Sequence, residues 1–260
     1  MADESLIAVF VDFENLAIGS RDMHEGEFRI DLVQKRLLEK GRIVFKRAYC
    51  DWNRYRGAVR DFHAQGIEMI DIPSNKMSGK NSADIRMVVD ALDLCHSKDH
   101  IDVFALLSGD SDFSPLVNKL KENNKRVIGC GVKSSTSELL VSSCDEFLYY
   151  DDLVQVAEKK KKTRSRPSRA RTSTEAEAKA DTKMEGVEML VAIVASLAQD
   201  YDPVWGSLVK QTLRRVHPDF REERYGYSSF VEMLKDAETR GLVVLEYDTA
   251  RGNYKIRVKA

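Results

Sequence analysis

Ala105-Leu-Leu-Ser-Gly-Asp-Ser-Asp-Phe-Ser-Pro-Leu116 joins an apolar run to two aspartates, Asp110 and Asp112. The run predicts a buried strand that releases both carboxylates at its C-terminal end, where open α/β sheets place their ligands. Two acids this close are costly to ionise together unless a cation lies between them. Upstream, Leu6-Ile-Ala-Val-Phe-Val-Asp-Phe-Glu-Asn15 repeats the arrangement, an apolar strand with Asp12 at its end. Acids at strand ends predict a hard-metal site.

Working outward, further strand-like runs fall at Ile43–Tyr49, Ile67–Ile72, Arg126–Cys130 and Glu146–Tyr149, with Val103–Leu107 opening the stretch quoted first. Between them, Leu32/Val33/Arg36/Leu37, Ile85/Val88/Val89/Leu92 and Leu116/Val117/Leu120 recur at helical spacing. Continuous apolar strands separated by helices predict an α/β fold, a mostly parallel sheet flanked by helices on both faces. Right-handed crossovers then gather the strand C-termini along one edge.

The chain has 260 residues, 32% of them charged, and a net charge of −1 that hides local segregation. The four cysteines lie in apolar contexts with no C-x-x-C pair, which reads as buried thiols in a reducing cytosol. The apolar run Leu6–Val11 is too short for a signal segment, and no stretch approaches the ~20 apolar residues of a membrane helix. A cytoplasmic protein is expected.

Composition divides the chain into residues 1–155, 156–183 and 184–260. Lys159-Lys-Lys-Lys-Thr-Arg-Ser-Arg-Pro-Ser-Arg-Ala-Arg171 is basic at eight positions and holds no large apolar residue. Such a segment cannot bury enough surface to offset its ordering entropy, so 156–183 reads as a basic disordered linker. It is either a solubilising spacer or a partner for a polyanion. From Met184 on, Met189/Leu190/Ile193/Val194/Leu197 mark one helix, and Trp205–Val216 and Ser228–Arg240 two more. Leu242–Asp248 and Asn253–Val258 then read as a hairpin, giving a small winged helix-turn-helix domain.

Asp12, Asp84, Asp110 and Asp112 are the candidate catalytic and metal-binding residues. Asp84 sits in the first turn of the helix that carries Ile85, opposite or at the edge of the Ile85/Val88/Val89/Leu92 stripe. Gathered at one sheet edge, these oxygens suit Mg²⁺ or Mn²⁺. Such an ion can activate water and neutralise a phosphodiester. Taken singly, Asp12 is also readable as a loop acid, and Asp84 or Asp112 as a helix N-cap.

Asp12-Phe-Glu-Asn15, Ser82-Ala-Asp-Ile-Arg-Met-Val-Val-Asp90 and Ser108-Gly-Asp-Ser-Asp-Phe-Ser-Pro-Leu116 together resemble the NYN domain in its LabA-like branch. Arg126-Val-Ile-Gly-Cys-Gly-Val132 and Ser143-Cys-Asp-Glu-Phe-Leu-Tyr-Tyr-Asp151 resemble it too. The resemblance implies a PIN-like (Rossmannoid) nuclease fold and metal-dependent endoribonuclease chemistry. Its metal acids fall on Asp12, Asp84, Asp110 and Asp112, with Asn15 and Ser108 supporting. Asp90 and Asp145 also match its pattern, but Asp90 lies on another side of the helix from Asp84 and reads as structural.

Trp205-Gly-Ser-Leu-Val-Lys-Gln-Thr-Leu-Arg-Arg215, Tyr225-Gly-Tyr-Ser-Ser-Phe-Val-Glu-Met-Leu234 and Gly241-Leu-Val243 are similar to the LOTUS (OST-HTH) module. That resemblance implies RNA binding or docking of a protein partner. Lys210, Arg214, Arg215, Arg221 and Arg224 are candidate phosphate contacts, and Tyr225 and Tyr227 candidate stacking rings. Lys76 and Lys80, before Asp84, are candidates to steer a backbone toward the acids. Each of these is equally readable as solvated charge.

The weaker signals fall away. Gly129-Cys-Gly131 lacks the full dinucleotide fingerprint and reads as a close turn. His96 and His100 have no cysteine pair to complete a zinc site. A haloacid-dehalogenase phosphatase needs an aspartate two residues after Asp12, where this chain has Glu14. A metal-dependent ribonuclease and a catalytically inactive RNA-binding adaptor remain as the competing expectations.

Overall fold

The computed structural model describes residues 4–22, 28–73, 81–164 and 175–259. Contacts divide the chain into two units, Met1–Arg166 and Pro167–Ala260. The first runs β1 (Leu6–Asp12), α1 (Phe13–Asp22), α2 (Ile30–Lys40), β2 (Arg42–Cys50), α3 (Arg56–Ala64), β3 (Glu68–Asp71), α4 (Ser82–Ser97), β4 (Val103–Leu107), α5 (Ser114–Glu122), β5 (Arg126–Gly131), α6 (Glu138–Ser143), β6 (Glu146–Tyr149) and α7 (Tyr150–Arg164).

All six strands are parallel, in the order β3-β2-β1-β4-β5-β6. The order reverses between β1 and β4, and such a switch point opens a crevice beyond the strand C-termini. Alternation along β1 divides the core. Ile7, Val9 and Val11 face one layer with Phe13, Leu16 and Phe62, while Ala8 and Phe10 face another with Met87, Phe104 and Leu116. Because β1 and β4 are covered on both faces, their sequences are unbroken apolar runs.

On α4 the buried face is Met87, Ala91 and Cys95, whereas Ile85 is 63% exposed and Val89 55%. This corrects the Ile85/Val88/Val89/Leu92 stripe expected from spacing. The sheet beneath carries the large stacked rings of Phe10, Phe104 and Tyr49, so the slimmer Met-Ala-Cys face packs on it. Asp84, one turn before Met87 and Val88, therefore lies on the sheet side of α4 rather than opposite it.

Gly129, expected in a turn, lies within β5 instead, where a Cβ atom would come 2.4 Å from the ring of Phe147. Phe147 belongs to the neighbouring strand and is half-buried, so its ring must shift to admit a methyl group. Gly129→Ala should therefore destabilise the fold by about 1–3 kcal/mol in chemical denaturation, with circular dichroism unchanged in shape.

The second unit runs α8 (Glu175–Leu197), β7 (Val204–Trp205), α9 (Gly206–Val216), α10 (Phe230–Thr239), β8 (Val243–Asp248) and β9 (Asn253–Val258). Trp205, expected in a helix, belongs to a strand that extends the hairpin into a three-stranded antiparallel sheet, β7-β9-β8. Val187, Leu190, Val194, Leu213, Met233 and Ile256 fill its core.

The 156–183 segment, expected to be disordered throughout, is helical at both ends: α7 continues to Arg164 and α8 begins at Glu175. Ala, Glu and Lys have high helix propensity, and each helix extends from a packed anchor, Val154 or Val187. Residues 165–174 lie outside the described residues.

Candidate functional site

β1 and β4 end side by side at the switch point, where Val11 pairs with Leu107. Of the next residues, Asp12 still pairs with Tyr49 of β2 as the last residue of β1, while Ser108 has left the sheet beside it. Ser108 Oγ donates to Asp12 Oδ2 at 2.8 Å. Asn15, in the first turn of α1, donates its backbone N–H to Asp12 Oδ1 at 3.4 Å and accepts from the Gly109 N–H at 2.9 Å through its own Oδ1. Gly109 is needed here, since a Cβ would lie 2.6 Å from the Ser135 carbonyl oxygen. Ser108 and Asn15 thus bind the two strand-end loops to each other and fix the orientation of Asp12.

Asp110 donates its N–H to Ser108 Oγ at 3.2 Å and accepts the Asp112 N–H at 2.9 Å. It is therefore Asp110, not Asp112, that caps the short helical turn Ser111–Phe113 ahead of α5. Asp110 is half-buried and Asp112 exposed.

Asp12 is 6% exposed. Burial pushes its carboxyl up to about 7; the Ser108 hydrogen bond opposes this, while the charges of Asp84 and Asp110 add to it. The Asp84 carboxyl is raised as well, by burial first and then by Asp110, Asp112 and Glu14. β1, α4 and the loop after β4 therefore bring carboxylates within electrostatic reach of one another with no cationic side chain among those causes. Glu14 joins this group although no role was read for it from the sequence. Its place in Asp12-Phe-Glu-Asn15, two residues after the strand-end acid, was the available signal. Arg54 pairs with it at 2.9 Å.

Among the described residues no three His, Cys, Asp or Glu side chains stand close enough to hold an ion jointly. An all-carboxylate set, with no cation among the groups that shift Asp12 and Asp84, nevertheless fits Mg²⁺ chemistry, in which one or two protein oxygens and several waters complete the shell. Burial pushes the Cys50 and Cys130 thiols up to about 12, so neither presents a preformed thiolate.

Asp90 and Asp145 face elsewhere. Asp90 accepts from Arg47 (2.8 Å), Tyr49 (2.9 Å) and Arg86 (2.9 Å). Burial raises its carboxyl, but the bonds from Tyr49, Arg86 and Arg47 outweigh this and hold it below the usual range. It ties α4 to β2. Asp145 accepts the Val127 N–H at 2.7 Å. Lys76 and Lys80 lie outside the described residues.

In the second unit Tyr225 and Tyr227 are 6% and 1% exposed, which corrects their reading as stacking rings. Tyr225 stacks on Phe220, and the Tyr227 hydroxyl donates to Asp236 at 2.6 Å, so both rings belong to the core. Lys210 pairs at 2.8 Å with the buried Glu222, and Arg214 lies 3.7 Å from the same carboxylate. Arg215 donates to Thr212 Oγ1 at 3.0 Å and Arg224 pairs with Asp219. Arg214, Arg221 and Arg224 are exposed. No helix among the described residues is long and apolar enough to cross a membrane.

The NYN domain family model matches residues 6–151, and that of the OST-HTH/LOTUS domain matches 185–247. An uncharacterized protein of Methanocaldococcus jannaschii is 31% identical over 147 residues, covering 56% of this chain and 58% of that protein. The chain thus spans little more than half the length of this curated relative. A crystal structure of a protein of unknown function from Vibrio parahaemolyticus shares the fold at TM-score 0.52 and 26% identity, covering 59% of this chain and 97% of its own. With more than half its length matched, the chain belongs to the NYN domain family, of the PIN-like nuclease superfamily, and carries an OST-HTH/LOTUS domain behind the NYN domain.

Proposed function

We propose that the chain is an Mg²⁺- or Mn²⁺-dependent endoribonuclease whose C-terminal domain holds the RNA. The observation that carries this reading is the gathering of Asp12, Asp84 and Asp110 at the switch point of the sheet, where burial first and then neighbouring carboxylates raise both Asp12 and Asp84. Carboxylates that repel one another in a crevice are a standing attraction for a divalent cation. One or two of Asp12, Asp84 and Asp110 would hold the ion directly and the others through its waters, with Asp112 at the solvent side; when bound, it would supply positive charge and Lewis acidity beside the scissile phosphate.

The chain's own groups do the positioning. Ser108 and Asn15 orient Asp12, and the Asp112 N–H orients Asp110. Ser108 is fully buried with its hydroxyl committed to Asp12, so direct attack by water on the phosphodiester is the consistent route. The test is hydrolysis of single-stranded RNA in Mg²⁺ or Mn²⁺ by the full chain. Cleavage abolished by a chelator is expected. RNA bound but left intact would make the protein an adaptor instead.

RNA affinity is expected to depend on the C-terminal unit through exposed cations such as Arg214 and Arg221. Deleting Met184–Ala260 should weaken binding and flatten its dependence on log salt, because phosphate contacts and their counterions are lost together. Anisotropy titrations at several salt concentrations measure both; an unchanged slope would move the contacts to the NYN domain or the basic segment after it.

A further inference from the structure

Within the NYN domain, α1 and α3 flank a cleft of about 570 Å³, an ordinary size for a small-ligand site. Phe13, Tyr55 and Phe62 line it, and Phe13 directly follows Asp12 in the chain. Its inner wall is therefore continuous with the acid-bearing end of β1. Arg21, Arg54 and Arg56 also line it, and Asp61 is the one acid among its described lining residues.

The geometry suits a flat ring with an anionic backbone. Tyr55 and Phe13 meet in a T, centroids 5.2 Å apart at 87°, and the Arg21 guanidinium lies over one side of the half-buried Tyr55 ring, 5.5 Å from its centroid. Arg54 reaches across to Glu14 and so links the cleft to the acid group. Arg56 is exposed. A neutral apolar ligand would make no use of Arg21 and Arg56, whereas a nucleotide offers them phosphate and offers Tyr55 a base.

Resting on the nuclease reading, we propose that this cleft is a nucleotide subsite, taking one unstacked base of single-stranded RNA next to the bond held by the acids. Tyr55 stacks on the base, and Arg21 and Arg56 contact the flanking phosphates. Duplex RNA keeps its bases stacked inside the helix and is excluded from the cleft.

The test reads binding apart from cleavage. The full chain carrying Asp110→Asn is titrated, by fluorescence anisotropy, into labelled single-stranded oligoadenosine. Tyr55→Ala in that background is expected to lower affinity about tenfold, the loss of one base stack, and Tyr55→Phe to restore it. Arg56→Gln, at an exposed position that leaves the core intact, should lower affinity and reduce the salt slope by about one. Unchanged affinity in both Tyr55→Ala and Arg56→Gln, with the parent chain cleaving RNA, overturns the subsite alone. Lost affinity in both, with a parent chain that never cleaves, supports the subsite and overturns the nuclease reading.

Discussion

Asp110→Asn, assayed on single-stranded RNA with Mn²⁺, is expected to retain no more than about one hundredth of the parent cleavage rate. Asp110 is the acid whose charge acts on both Asp12 and Asp84. Asparagine matches aspartate in shape and keeps an oxygen to accept the Asp112 N–H, so the turn at Ser111–Phe113 persists. What is removed is the negative charge. The melting temperature should accordingly stay close to that of the parent while kcat falls. A variant that cleaves at more than half the parent rate would take Asp110 out of the chemistry.

Asp12→Asn should do the opposite to stability. The Asp12 carboxyl is raised from 3.8 to about 7, chiefly by burial, with Asp84 and Asp110 adding to it. The folded chain thus holds this proton to a higher pH than the unfolded chain does. Its stabilising effect is complete below about pH 4, declines as pH rises to about 7, and is absent above that. At pH 8 in a chelator, the ionised carboxyl costs the fold on the order of 4 kcal/mol. Asparagine carries no such charge and still accepts from Ser108. The variant should therefore resist urea better than the parent at pH 8 and equally at pH 4, while losing cleavage. Parent and variant of equal stability across that range would mean that Asp12 ionises without strain. Added Mn²⁺ should raise the melting temperature of the parent and leave the variant nearly unmoved.

The strands and their acids were readable because burial on both faces leaves an uninterrupted apolar signature, and Asp12 and Asp110 stand out at its end. Strand order was not readable from any one segment, yet it is the reversal between β1 and β4 that places these acids together. The face of α4 was misread because two apolar stripes overlap on it, sharing Val88 and Leu92. Spacing cannot decide between them, and the bulk of Phe10 and Phe104 in the opposing sheet does. Tyr225 and Tyr227 were misread for a related reason. An aromatic ring beside arginines looks the same in sequence whether it meets solvent or, as here, Phe220 and Asp236. Arg54 and Tyr55 escaped notice altogether, since their nearness to Glu14 and Phe13 is created by the pairing of β1 with β2.

The decisive measurement is anomalous scattering from a crystal of the full chain soaked in Mn²⁺. A peak at the C-terminal ends of β1 and β4, within coordination distance of oxygens from Asp12 and Asp110, is the predicted result. A well-diffracting crystal with no peak there, or with Mn²⁺ bound only elsewhere, would contradict it.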